Sequence, residues 1–310
     1  MTTNPAHRTV GILLMAFLGI AWGTNWPAIK IAIVEMPIWQ YRAVTAGAGG
    51  LALMGYAVLT GANLRLPRRQ WLPFGGVILS NIGWIIFVGY GVLLMESGQA
   101  SLIGFTMPIW AAVLAWIFLG EALTVRRLLA LGFGISGILL LLAPSLHSFG
   151  GRPFGAVLLL CAALSWAGGT IVTKRTDWAV PAISLAAWNL CFSALPIGVI
   201  AALSEDFTMH RASVDAWLAA GYTTLFGFIL AYIAWFKLVQ IFSATVAAIG
   251  TLAAPIVGLL SGAIILGEPL GWRQLASAAL VFSALALVLL EPVRRGAAAG
   301  PGQSPSGPLA

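Results

Sequence analysis

Charged side chains are scarce in this sequence. Only 8% of its 310 residues are Asp, Glu, Lys or Arg, against about 25% in a typical soluble domain. So few charges cannot cover a water-facing surface, so most of the outside must face lipid. Acidic residues number 9 and histidines 3. Glu35, Glu96, Glu121, Asp177, Glu205, Asp206, Asp215, Glu268 and Glu291 all fall at the ends of apolar runs or between them, as do His7, His147 and His210. That distribution argues against a membrane enzyme working by general acid–base chemistry, which needs a positioned titratable pair. It also argues against a proton-driven pump, which normally holds an ionisable group in its interior. The 2 cysteines, Cys161 and Cys191, lie inside apolar runs without metal-ligand spacing or a disulfide framework, and read as small packing residues. No metal or cofactor is expected. The net charge of +7 comes from short basic clusters between apolar runs, the pattern of membrane-protein loops and not of a nucleic-acid interface.

What remains is apolar. Hydrophobic residues make up 60% of the chain, with 36 glycines, which membrane helices use for close packing. A bilayer core takes roughly 20 apolar residues per helix. On that measure the sequence divides into ten spans. The first five are 10–33, 38–60, 71–94, 98–119 and 126–144, and the second five 153–174, 180–203, 215–239, 243–266 and 272–291. The expected fold is all-α and polytopic. Its parts are a cytoplasmic N-terminus (1–9), a first five-helix half (10–144), a linker (145–152), a second half (153–292) and a Gly-, Pro- and Ser-rich cytoplasmic tail (293–310), expected to be disordered. Ten crossings put both termini on one side. That side collects Arg8, Arg65, Arg68, Arg69, Arg126, Arg127, Lys174, Arg175, Lys237, Arg294 and Arg295, against Lys30, Arg152, Arg211 and Arg273 on the other. Eleven against four predicts cytoplasmic termini in a plasma membrane, the bacterial inner membrane.

The two halves repeat one another. A shift of 147 matches Pro108 with Pro255, Leu119-Gly120-Glu121 with Leu266-Gly267-Glu268, and Arg126 with Arg273; a shift of 144 matches Trp22 with Trp166, Lys30 with Lys174 and Pro37 with Pro181. Five crossings per copy make the second enter from the opposite side, so the halves are expected to be inverted. Such an arrangement supports alternating access. Repeated five-span halves, Trp22-Gly23-Thr24-Asn25-Trp26 followed by Lys30, Pro37 with Arg42, and two Leu-Gly-Glu endings resemble the EamA type of the drug/metabolite transporter superfamily. Within it the chain is most similar to the bacterial amino-acid exporters of the YddG type. The resemblance implies export of small metabolites, amino acids including aromatic ones foremost.

The polar groups at membrane depth are neutral. Asn25, Asn81, Gln99 and Asn189 can bind an ammonium through their carbonyls and a carboxylate through their amides. The structural alternative for each is a helix–helix hydrogen bond. Trp84 follows Asn81 at helical spacing. Trp22 and Trp166 hold the same repeat position and are expected to wall one cavity from opposed directions, with packing bulk as the alternative. Arg42 lies inside a span and is a candidate contact for an anion, against snorkelling to the headgroups. Lys30 and Lys174 read as interfacial anchors. Glu121 with Arg126, and Glu268 with Arg273, are expected to form ion pairs. Pro108 and Pro255 mark the helices expected to bend during gating. The expected partners are a small-molecule substrate and membrane lipid, with no nucleic acid, and a monomer is compatible with this reading. The favoured function is uncoupled export by alternating access. The alternatives are proton-coupled efflux of drugs or other small organic solutes, and, in a different class, a membrane-embedded enzyme.

Overall fold

A computed structural model of the chain describes residues 5–120, 124–143, 152–241 and 253–289. The described residues form helices and their connections, with no strand among them. In lipid this is the expected outcome, because a helix satisfies its backbone hydrogen bonds within one segment. The helices are α1 (Pro5–Glu35), α2 (Ile38–Leu59), α3 (Trp71–Leu94), α4 (Ser97–Gly104), α5 (Met107–Leu119), α6 (Val125–Leu142), α7 (Arg152–Arg175), α8 (Ala182–Ser204), α9 (Val214–Tyr222), α10 (Ala231–Ile241), α11 (Ala253–Leu266) and α12 (Trp272–Leu289). A π-helical segment, Thr223–Leu230, joins α9 to α10. Eight helical runs are long and apolar enough to cross a membrane, and two further apolar helices, in α11 and α12, are shorter.

The fourth predicted span is broken. Phe105 donates to the Ser101 carbonyl and Thr106 to that of Ile103, closing α4 before Pro108 enters the first turn of α5. Proline lacks the amide hydrogen needed to continue the ladder, so the helix restarts there. Pro255 lies in the first turn of α11; Gly250 and Thr251 before it, like Glu121, fall outside the described residues.

The repeated Leu-Gly-Glu triplet now has a physical reason. Gly120 and Gly267 both take left-handed backbone, at φ 66° and 65°, the conformation that ends a helix with little strain when no Cβ is present. Glu268 then does something other than the expected pairing with Arg273. Its carboxylate accepts from the backbone amides of Ser97 at 2.5 Å and Gly98 at 2.8 Å, capping the N-terminus of α4, where the helix dipole favours negative charge. The Arg273 guanidinium instead stacks over the Trp272 ring at 5.3 Å. Lys30 is likewise more than an anchor: its ammonium donates to the carbonyls of Val92, Leu93 and Met95 at 2.6, 3.0 and 2.7 Å, at the C-terminal end of α3.

Helices of the first half pack chiefly on helices of the second. The main pairs are α3 with α7, α2 with α8, α6 with α12, and α1 with α11; α1 also lies along the run from α9 to α10, and α7 along α4 and α5. Small residues permit these approaches. A Cβ on Gly258 of α11 would come within 2.5 Å of the Ser101 hydroxyl on α4, so the Gly258–Gly262 face is a packing seam.

Candidate functional site

Trp22, Asn25, Asn81, Trp84 and Trp166 lie on α1, α3 and α7, whose tryptophans meet at one junction. Three tryptophans form a line across that junction. Trp26 of α1 meets Trp84 of α3 edge-on, ring centres 6.4 Å apart at 85°, and Trp84 meets Trp166 of α7 at 5.2 Å. Phe105, at the break between α4 and α5, closes the near end against Trp26 at 6.0 Å. A Cβ on Gly104 would lie 2.5 Å from the Trp26 rim, so the bare glycine is what lets α4 approach this ring. Trp22 and Trp166, the pair expected to wall one cavity, have different ring partners. Trp22 has a separate partner, Trp235 at 5.9 Å, and its indole donates to the Gly227 carbonyl at 3.3 Å. Its position four residues before Trp26 puts both rings on one side of α1.

The amides divide into engaged and unengaged groups. Asn81 is buried, and its amide donates to Ser193 of α8 at 3.0 Å; the Ser193 hydroxyl donates in turn, at 3.4 Å, to Asn189. Asn81 therefore ties α3 to α8, the helix–helix alternative, while Trp84 one turn on faces α1 and α7. Asn25 is different. Its side-chain oxygen is buried with no partner, packed against Gly227 of the π-helical segment. Gln99 is 4% exposed and makes no hydrogen bond among the described residues.

Arg42 does not snorkel. It is 3% exposed, and a Cβ on Gly89 of α3 would lie 3.5 Å from its Nε and 3.9 Å from Nη2. Both of those nitrogens are buried without a hydrogen-bond partner. Its guanidinium carbon sits 5.1 Å from the centre of the Tyr41 ring, and the Tyr41 hydroxyl donates to Thr223 at 2.9 Å, at the start of the π-helical segment.

The carboxylates near helix ends have structural duties. Glu205 accepts from the amides of Trp39 and Gln40 at 3.0 and 2.9 Å, at the N-terminus of α2. Glu35 accepts from the amide and hydroxyl of Ser213 at 2.7 and 2.8 Å, at the N-terminus of α9.

The pattern that defines the EamA-like transporter family matches this chain twice, over residues 9–143 and 153–290. The chain belongs to the EamA-like transporter family. It is a multi-pass membrane protein and a transporter. Among its relatives is an uncharacterised Bacillus subtilis transporter, YvbV, 32% identical over 298 residues, covering 93% of each chain. A Salmonella typhimurium protein named a probable amino-acid metabolite efflux pump is 29% identical, over 86% of this chain and 90% of its own. An uncharacterised Escherichia coli inner membrane transporter, YedA, is 26% identical, over 88% of each. A crystal structure 19% identical in sequence matches 91% of this chain and 97% of its own at a TM-score of 0.67, a likeness of fold alone.

Trp26, Tyr41 and the π-helical segment were not among the residues singled out from sequence. Trp26 had a usable signal, since it closes the motif that opens on Trp22. Tyr41 had only its place beside Arg42. The π-helical segment had none, because helix type within an apolar run leaves no mark on hydropathy.

Proposed function

We propose that this EamA-family transporter exports small organic solutes, amino acids with aromatic side chains among them, by alternating access and without ion coupling. The observation that carries this reading is the line of Trp26, Trp84 and Trp166. It is drawn from helices of both halves, and Asn25 adjoins Trp26 in α1. Offset and edge-on aromatic surfaces favour a planar apolar side chain, and Asn25 and Gln99 offer neutral polar groups to its backbone. The relatives named as amino-acid metabolite efflux pumps support the substrate class.

On this reading the chain has ten spans in two inverted halves, 10–144 and 153–292, with both termini in the cytoplasm of a bacterial cell. The helix pairing supports the inversion. Exchanging each span with its counterpart turns α1 against α9–α10 into α7 against α3, and α1 against α11 into α7 against α4–α5. The pairs α2–α8 and α6–α12 map onto themselves. Pro108 and Pro255 lie in the corresponding spans that bend or slide as the path changes sides. The carboxylates described above cap helices at their ends, which supports a mechanism without a proton carrier at mid-membrane.

The test is initial-rate flux of labelled phenylalanine into proteoliposomes, with the substrate gradient fixed and the pH gradient imposed or abolished. The rate is expected to be the same in both. A rate that collapses without the pH gradient contradicts uncoupled export.

A further inference from the structure

Arg42 is a cation held inside protein with two guanidinium nitrogens unpaired. Burying a charge without a partner is strongly unfavourable, and buried guanidinium groups are ordinarily met by a carboxylate or by carbonyls. Glu205, the acid at the N-terminus of the same helix, is engaged by the α2 backbone amides, and the Nε and Nη2 of Arg42 have no hydrogen-bond partner among the described residues. The side of α3 turned to it is Gly89, which leaves the guanidinium against bare backbone. Tyr41, beneath the guanidinium, belongs to the same buried cluster as Trp26, with Trp84 and Tyr90 packed on it. Arg42 therefore flanks the buried cluster that holds the Trp26 ring.

We propose that Arg42 is the carboxylate receptor of the solute path, so that the protein selects solutes carrying both an apolar ring and a carboxylate over those lacking the anion. This rests on the export reading above and names the chemical group that site requires. A guanidinium suits the task because its planar fork meets two carboxylate oxygens at once, which a lysine ammonium cannot do. The same contact gives the substrate a route to the moving parts. A carboxylate on Arg42 sits above Tyr41, whose hydroxyl holds Thr223 at the start of the π-helical segment. Rearrangement of that segment then follows occupancy of the path.

The experiment compares phenylalanine with phenylalaninamide, which keeps the ring and the amine and lacks only the carboxylate. Flux of each is measured in proteoliposomes for the wild type, Arg42→Gln and Arg42→Lys. Binding of each to the purified protein is followed by tryptophan fluorescence. The wild type is expected to carry phenylalanine on the order of ten-fold faster than the amide. Arg42→Gln is expected to lower phenylalanine flux on the order of ten-fold and leave the amide within about two-fold. Arg42→Lys should fall between, having the charge without the fork. Equal losses for both compounds in Arg42→Gln, or none for either, overturn the proposal. Should Arg42→Gln fail to fold, a wild type indifferent to the carboxylate overturns it alone. Should the wild type bind phenylalanine over the amide and move neither, the export reading falls and the receptor stands. Should it move both alike, the receptor falls and export stands.

Discussion

At the scale of single residues, position in the repeat did not decide contact. Trp22 and Trp166 correspond in the two halves, yet Trp166 packs on Trp84 and Trp22 on Trp235. The reason is that counterparts in a repeat meet different neighbours wherever the two halves differ in side chain or helix type. Trp166 thus has the stronger claim on the path. Trp166→Ala and Trp84→Ala are expected to insert normally, since an apolar exchange costs insertion little. Each should reduce flux of phenylalanine about ten-fold more than that of alanine, because a ring contact worth ~1 kcal/mol is lost together with buried area. Initial rates normalised to protein in the membrane provide the check, and equal rates for both substrates would make these rings packing. Asn81, a candidate ligand from sequence with a helix–helix hydrogen bond as its alternative, donates its amide to Ser193.

At the scale of elements, the helices themselves were legible in the sequence. Apolar runs bounded by charged or proline-containing loops gave α2 and α3 almost to the residue, because lipid imposes both length and composition. Ends capped by distant residues were not legible. Nothing local to Glu268 announces that it serves the first turn of α4, 170 positions away. Local spacing pointed to Arg273, and the backbone amides prevailed because two oriented N–H donors at a helix N-terminus hold a carboxylate better than one exposed arginine does. Likewise the fate of Arg42 depended on Gly89 of another helix, so burial and snorkelling looked alike from sequence. Glu268→Gln removes the charge but not the shape of the α4 cap. It is expected to lower stability by ~1 kcal/mol, read as a lower melting temperature in detergent. Arg273→Gln should leave that temperature nearly unchanged. A larger loss from Arg273→Gln than from Glu268→Gln would restore the ion pair.

At the scale of the whole molecule, the packing of each half on the other is what makes transport mechanically plausible. The path proposed along α1, α3 and α7 would change shape when either half rocks. The segment Thr223–Leu230 is π-helical, whereas its counterpart within α3 is α-helical, so the two halves of this structure are not in equivalent conformations. On the inverted-repeat reading proposed above, such inequivalence would distinguish a path open to one side from one open to the other. A carrier of this kind returns its site across the membrane faster loaded than empty whenever the empty return is slow. The direct measurement is counterflow: proteoliposomes filled with excess unlabelled phenylalanine are diluted into a trace of labelled phenylalanine, without any ion gradient. The account predicts a transient accumulation of label inside above its outside concentration, absent from protein-free liposomes. Label that only equilibrates, at a rate indifferent to the internal phenylalanine, would contradict alternating access by this chain.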